Sequence, residues 1–595
     1  MVQQQSWRTA QASVLAGAGF FYAVFIARTS FRFRGTLVFT LFDDPMISMR
    51  FARNLARGYG LVWNPGGAHV EGYTNFLWTL WLAALHLLPV RDTLQPLLVM
   101  GSGVIILLLA GLAAGSLATR LSGGDRSAGI AAIAATLFYY PLVYWTLRGF
   151  EVGLLALLVL LAIILTLRLE ANPSTRTWVL LGLVLAAMIL TRPDGLLPAA
   201  VAVSYLAVTC PRSARPQVIG LALAMVAVFG LQTAWRLAYY GDPLPNTYYL
   251  KVAGIPLADR LHRGFNTIVY IAMVELLPLV AVVLAAPRTT WPGLRRGVAL
   301  VLALVTSQWV YCVYVGGDLA ESVTYSDRYL TVVAPALVVA AVVVGTRIMR
   351  AGGRARLRLY RVLAGALLLQ LVVRALDPRP VTSLQLTPAE TEGLAVRVAF
   401  PLLGLLVVAA LATAERRRAD SPRSSRHGPA AASALALGLL LAATTVGRDY
   451  VPWVRHNAYL VAFDITLAQN GMELRDATSP NTTIALTAAG AQAYYADRTA
   501  IDLLGKSDRV IAHGPDRVPY PYYQPGHAKW NYAYSIGTLR PDLVFGLFSD
   551  TDQDRRQIEA WGYQQLGDRV YVRRDSVGVD GVAVRRILRR ALDSN

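Results

Sequence analysis

The chain has 595 residues, of which 55% are hydrophobic and only 15% charged, where an ordinary soluble domain carries roughly a quarter charged. A net charge of +20 would suggest a nucleic-acid partner in a soluble protein, but the arginines sit in short loops between apolar runs, where membrane topology accounts for them. The two cysteines, Cys210 and Cys312, exclude a disulfide framework and a thiolate metal site.

The first apolar run, Val14 to Ala27, is followed by charged residues rather than a small-residue cleavage site, so it reads as a retained span at about 10–30. Hydropathy and length predict further spans at about 96–118, 128–147, 152–168, 177–192, 195–209, 217–239, 266–286, 297–315, 329–347, 361–376, 395–414 and 429–446. The stretch Thr74–Pro89 is ambiguous: it is short, is interrupted by Asn75, Trp78 and Trp81, and has His86 near its end. If it does not cross and the N-terminus is cytoplasmic, the cytoplasmic loops are 119–127, 168–176, 210–216, 287–296, 347–361 and 415–428. Six arginines fall in 347–361 and five in 415–428, so every short arginine-rich loop lies on one side. A crossing would reverse the first half of that agreement. Thr74–Pro89 is therefore assigned to a re-entrant or interfacial segment within an external loop, 31–95. Its neighbour ISMRFARNLARGYG is predicted as an interfacial helix whose Arg50, Arg53 and Arg57 meet lipid phosphates.

Thirteen crossings leave everything after about Asp449 outside. There, TTIALTA, DLVFGLF and RVYVRR read as short strands among turn residues, which predicts a small α/β domain. The expected fold is a polytopic α-helical membrane protein of about 13 spans, with a membrane core 1–447 and an extracytoplasmic α/β domain 448–595.

Charges beside spans are expensive, and they tend to line cavities. On this topology they gather at the external side. FDD supplies Asp43 and Asp44, WTLRGFEVG supplies Arg148 and Glu151, and LTRPDG supplies Arg192 and Asp194. YYGDPLPNTYYLK adds Asp242, Asn246 and Lys251, and GGDLAESVTYSDRYL adds Asp318, Asp327 and Arg328. Such a set suits group transfer from a lipid-linked phosphate: a carboxylate acts as general base, and lysine and arginine hold the phosphate as it leaves. Nucleotide sugars are confined to the cytoplasm, so an external enzyme needs a membrane-carried donor.

Each group also has a plainer role. Asp43 and Asp44 could cap a helix, Glu151 could pair with Arg148, and Lys251, Arg192 and Arg328 could be interface anchors. His69, His86, His456, His513 and His527 have no metal-ligand spacing and read as local or surface residues. No P-loop or dinucleotide fingerprint occurs; no cofactor is fixed, and a divalent cation is compatible with the aspartate pair. A transporter, with polar groups in broken helices at the midplane of two related halves, and a non-catalytic envelope or motility assembly factor are the competing classes.

The DD pair followed by RFARNLARGYGLVWNPGGAHVEGYTN resembles the GT-C superfamily of polyprenyl-phosphate-sugar-dependent glycosyltransferases. RGFEV, TRPDG, YYGDPLPNTYYLK, GGD and DLLGKSDRVIAH, in that order, resemble its actinobacterial terminal arabinofuranosyltransferase branch. This implies a multi-pass protein of the bacterial cell membrane that builds cell-wall arabinan from decaprenyl-phospho-arabinose. It implies catalysis by Asp44 with Asp43 supporting, and donor-phosphate binding by Lys251, with Arg328, Arg192 and Asn246 beside it. Glu71, Tyr73, Asn75, Glu151, Asp194 and Asp318 are expected to line the substrate cavity. DLLGKSDRVIAH, with Asp502, Asp508 and His513, is expected to lie over it and guide a glycan or glycoprotein acceptor. The sequence departs from that branch where LAESVTYSD separates GGD from Arg328, which leaves the sugar and acceptor open.

Overall fold

Apolar runs fold as helices in a computed structural model that describes residues 2–286, 292–318, 326–351, 353–376, 394–419, 450–518 and 524–593. A bilayer offers the backbone no water to bond, and a helix satisfies its own N–H and C=O groups locally. Among the described residues nine helices have the length and apolarity of a span: Trp7–Arg28, Gln95–Leu121, Val152–Ala171, Arg212–Tyr240, Leu257–Leu284, Leu294–Val315, Ala334–Ala351, Gly353–Leu376 and Val398–Arg417. The expected span 128–147 is instead a pair, Arg126–Leu137 and Tyr140–Leu147, bent by 50°. Pro141, in the first turn of the second helix, lacks the N–H that would carry the first ladder onward.

Two further helices, Thr175–Thr191 and Leu196–Thr209, have 17 and 14 residues, about 26 and 21 Å against ~30 Å of hydrocarbon. They form a short hairpin, and the turn between them buries Arg192 and Asp194 at the end of the bundle. The expected span at 329–347 begins later, at Ala334, because Asp327 caps a separate helical turn, Arg328–Thr331. The expected span 429–446 and residues 319–325 lie outside the described residues. The protein is a multi-pass helical membrane protein with a C-terminal α/β domain.

The bundle has two chemically distinct ends. At one end the arginine-rich loops meet acids on neighbouring helices: Arg350 with Asp125 at 2.7 Å, Arg356 with Glu415 at 2.7 Å and Arg296 with Glu170 at 3.0 Å. The other end carries the 31–95 segment and the C-terminal domain, packed on each other.

In that segment Ser30–Phe33 (β1) and Thr36–Phe39 (β2) form an antiparallel hairpin, followed by helices Asp43–Ala56 and Phe76–His86. Phe76–His86 has 11 residues, about 16 Å, which is too short to cross. Its Trp78 donates to Gly149 O at 3.0 Å, and its His86 meets the Tyr494 hydroxyl at 3.1 Å. The helix Asp43–Ala56 does not lie on the membrane with its arginines toward lipid. Arg50 and Arg53 are buried and donate to the C-terminal carbonyls of Arg498 and Tyr494 at 2.7 and 2.9 Å, and Arg53 and Arg57 pair with Asp92 and Asp497. A protein surface that supplies carbonyls and carboxylates in fixed positions outcompetes lipid for these guanidinium forks.

The C-terminal domain is a five-stranded sheet in the order β4-β3-β5-β7-β6, formed by Thr483–Leu486 (β3), Thr499–Asp502 (β4), Leu543–Phe545 (β5), Tyr563–Gly567 (β6) and Val570–Arg573 (β7). β4, β3 and β5 are parallel, while β7 and β6 are antiparallel additions. The three expected strands are β3, β5 and β7; β4 and the exposed edge strand β6 were not legible. The segments following β3 and β4 face the membrane core. After β3, Gly490 meets the Asp43 backbone so closely that a Cβ would lie 1.8 Å from the Asp43 oxygen.

Candidate active site

Between the helix ends and the C-terminal domain lies a cavity of about 690 Å³. Short polar turns reach it because each follows a helix that stops at this level. Phe150–Glu151 precedes Val152–Ala171, Arg192–Asp194 joins the short hairpin, Lys251 ends the helix Asn246–Lys251, and Asp318 follows Pro292–Val315. Asp44 comes from the first turn of Asp43–Ala56, and Lys506 and His527 come from the C-terminal domain.

Two charged clusters occupy the cavity. In the first, Arg328 pairs with Asp318, its Nη2 donating at 3.0 Å while Nε stands 2.8 Å from the other oxygen, and Lys251 reaches the same carboxylate at 3.2 Å. Lys506 donates to Asp44 Oδ1 at 2.8 Å, while Arg328 Nη1 stands 3.7 Å from Asp44 Oδ2. In the second, Arg192 bridges Glu151 at 2.7 Å and Asp194 at 2.8 Å, and Asn75 donates to the other Glu151 oxygen at 2.8 Å. The Tyr329 ring lies between the clusters, with the Arg192 guanidinium 4.9 Å from its centre and Lys251 3.4 Å from its hydroxyl.

Burial pushes the Asp44 carboxyl up, but the charges of Lys506 and Arg328 outweigh it and hold it well below the usual carboxylate range. Burial likewise works against the Lys506 ammonium, and Asp44 overcompensates, so Lys506 stays charged. At His527 the Asp44 charge works in the opposite direction to burial but is outweighed. Burial, reinforced by the Lys506 charge, pushes it down to about 4, and its imidazole is neutral at pH 7.

Of the residues singled out in the sequence, Asp44, Tyr73, Asn75, Glu151, Arg192, Asp194, Lys251, Asp318 and Arg328 line this one cavity. Four others do not. The Asp43 carboxylate accepts the Ala491 N–H at 2.8 Å, at the start of the helix Ala491–Ala496. Glu71 is buried against Arg236 at 2.8 Å, behind the wall; burial raises its carboxyl to about 7 despite that pair. His513 stacks on Tyr249 with ring centres 3.9 Å apart and stands 3.6 Å from Asp242. Asn246, expected at the donor phosphate, turns its amide to the carbonyls of Gly505, Lys506 and Asp508 at 2.6, 3.2 and 3.1 Å. Arg148 pairs with Asp464 of the helix Val461–Ala477 rather than with Glu151.

Lys506, His527 and Tyr329 were missed. For Lys506 a signal existed: DLLGKSD sets an aspartate and a glycine around a lysine directly after a strand, the composition of a tight turn. The Asp502 carboxylate indeed accepts the N–H groups of Leu504, Gly505 and Ser507 at 3.0, 3.1 and 2.7 Å and curls the loop. Nothing near His527 in the sequence marks it. Among the described residues no group of three or more His, Cys, Asp or Glu is placed to hold a metal ion.

Residues 457–577 match the family described as "Domain of unknown function (DUF8728)". No curated protein matches the chain in sequence. Among solved structures the chain is similar to ArnT from Cupriavidus metallidurans bound to undecaprenyl phosphate, at 15% identity and a TM-score of 0.48, covering 82% of this chain and 85% of that one. It is similar to the same protein in its apo state at 15% identity and 0.47, covering 84% and 87%. It is also similar to the arabinosyltransferase EmbB from Mycobacterium smegmatis at 14% identity and 0.41, covering 76% of this chain and 42% of that one.

Proposed function

We propose that this protein is an integral membrane glycosyltransferase that takes a sugar from a polyprenyl phosphate and passes it to an acceptor on the side of the C-terminal domain. One observation carries the reading: a single cavity joins an apolar wall open to the bilayer with a cluster of cations around a carboxylate. The wall comprises Leu196, Leu197, Phe229, Val310 and Tyr314, and Val310 is 62% exposed on the bundle surface. A prenyl chain fits against such a wall at no desolvation cost, while its phosphate needs the cations at the end.

In this reading Lys251 and Arg328, held apart by Asp318, receive the donor phosphate. Asp44 takes the proton of the acceptor hydroxyl as that oxygen bonds the anomeric carbon. The bond from that carbon to the phosphate oxygen breaks, and its electron pair leaves on the phosphate, where the cations stabilise the added charge. The Glu151–Arg192–Asp194 cluster, with Asn75, faces the sugar. The arginine-rich loops at the opposite end mark the cytoplasmic side, so the site is extracytoplasmic. D-Arabinofuranose and a cell-envelope glycan are the sugar and acceptor we assign, on the motif order RGFEV, TRPDG, LPNTYYLK and GGD.

The test uses the purified full chain in lipid nanodiscs with a panel of polyprenyl-phosphate sugars. Release of polyprenyl phosphate from decaprenyl-phospho-arabinose, lost in Asp44→Asn, is expected. Turnover of a nucleotide sugar in place of every lipid donor refutes the reading.

A further inference from the structure

The C-terminal domain does not merely cover the cavity; it inserts a cation. Lys506 is built into place from three sides. Asp502 folds its loop through three backbone N–H groups, the Asn246 amide holds the loop's carbonyls, and Gly72 lets the loop close in. A Cβ on Gly72 would sit 3.0 Å from the Lys506 carbonyl and 2.5 Å from the Ser507 hydroxyl. The lysine at the tip of this scaffold meets Asp44 and lines the cavity.

We propose that Lys506 is a donor-phosphate ligand that exchanges partners, leaving Asp44 for the phosphate when the lipid donor binds, so that the base is released only in the loaded enzyme. This rests on the glycosyltransferase reading of the site.

The charge count favours the exchange. Among the described residues the cavity holds four acids, Asp44, Glu151, Asp194 and Asp318, and four bases, Arg192, Lys251, Arg328 and Lys506. These described charges offset one another, and an incoming phosphodiester adds one negative charge. As the reaction proceeds, Asp44 takes a proton and loses its charge while the departing phosphate gains one. A cation between them that follows the charge stabilises both sides of the transfer. With Lys506 on Asp44 the carboxylate is a poor base, because its charge is already compensated. Withdrawing the lysine restores basicity at the moment the donor is in place, which keeps the base idle toward water in the empty site. The titratable groups that face Lys506 are Asp43 and Asp44 from the first loop, Asp502 from its own loop, and the neutral His527.

The experiment uses the full chain in nanodiscs, with undecaprenyl phosphate as the binding probe and transfer as a separate assay. Lys506→Met is expected to bind the probe about tenfold more weakly, the effect of losing one charged hydrogen bond, with Lys506→Arg restoring most of the affinity. Asp44→Asn is expected to bind it more tightly than the parent, because the lysine no longer has to leave an ion pair; this arm stands even if Lys506→Met fails to fold. In the transfer assay Lys506→Met moves the acid limb of the kcat/KM profile upward, since Asp44 of the empty enzyme loses the partner that depresses it, and leaves the acid limb of kcat in place. Unchanged probe affinity in Lys506→Met, or weaker binding in Asp44→Asn, overturns the exchange. Absence of transfer from every lipid donor in the parent enzyme overturns the glycosyltransferase reading instead, and leaves the binding arms to decide on Lys506.

Discussion

Asn246 separates two accounts of the site, because the sequence assigns it to the donor phosphate and the fold uses it as a clamp. Its side-chain amide has two hydrogens and faces three carbonyls, those of Gly505, Lys506 and Asp508. It can therefore make two good bonds at once, each worth about 0.5–1.5 kcal/mol net. Asn246→Ala is expected to loosen the 503–508 loop by about 1–3 kcal/mol on that count. Asn246→Asp is nearly isosteric but turns an acceptor toward three acceptors. It leaves a buried charge without donors and is expected to cost more than alanine, about 3 kcal/mol or above. Hydrogen exchange at the amides of Leu504, Gly505 and Ser507 reads the loop directly, and donor KM reads the phosphate site. The clamp predicts faster exchange in the order Asp, Ala, parent, with donor KM rising in the same order, because a loosened loop withdraws Lys506 from the donor phosphate. Wild-type exchange combined with a raised donor KM in Asn246→Ala would refute the clamp and restore the direct phosphate contact.

The other predictions concern stability. His527 is held at about 4 in the fold and near 6.5 in the unfolded chain. The unfolded state therefore binds the proton first as pH falls, and stability drops between about pH 6.5 and 4. Replacing His527 with Gln removes up to about 3 kcal/mol of that acid sensitivity, measured as the difference in denaturation midpoint between pH 7 and pH 4; equal slopes for both proteins contradict the assignment. Gly490→Ala drives a Cβ into the Asp43 carbonyl, backbone against backbone, and is expected to cost about 3 kcal/mol or more, read as a lowered melting midpoint. Arg148 and Asp464 are both fully buried. Removing Arg148 alone is expected to cost about 3–5 kcal/mol, while the double change Arg148→Met with Asp464→Leu is close to neutral; equal losses in both variants would show that packing rather than charge governs the contact.

How much of this was legible follows from the range of each interaction. A span declares itself within some twenty residues, so the bundle could be read from apolar runs, and arginine placement gave the sidedness expectation its force. The errors sit where a local rule met a distant partner. Arg148 and Glu151 are three residues apart, and a pair between them was the plainer role for Glu151, yet each found its partner elsewhere, on Asp464 and Arg192. Arg192 was expected at the donor phosphate, with an interface anchor as its plainer role; its guanidinium lies between two buried carboxylates.

The C-terminal domain sharpens the point. Asp43 and Asp44 are adjacent in the chain and indistinguishable by composition, but they are sorted by contacts across more than four hundred residues. One carboxylate is consumed at the start of the helix Ala491–Ala496, and the other is left in the cavity opposite Lys506. The proposed base is therefore chosen by the docking of the C-terminal domain, since without it both carboxylates would face the same solvent. Loss of the Gly490 contact should then damage transfer more than it damages the helical bundle, because it frees Asp43 to compete for the Lys506 ammonium. A Gly490→Ala protein with an intact bundle and parental transfer would show that the pair is sorted by its own helix alone.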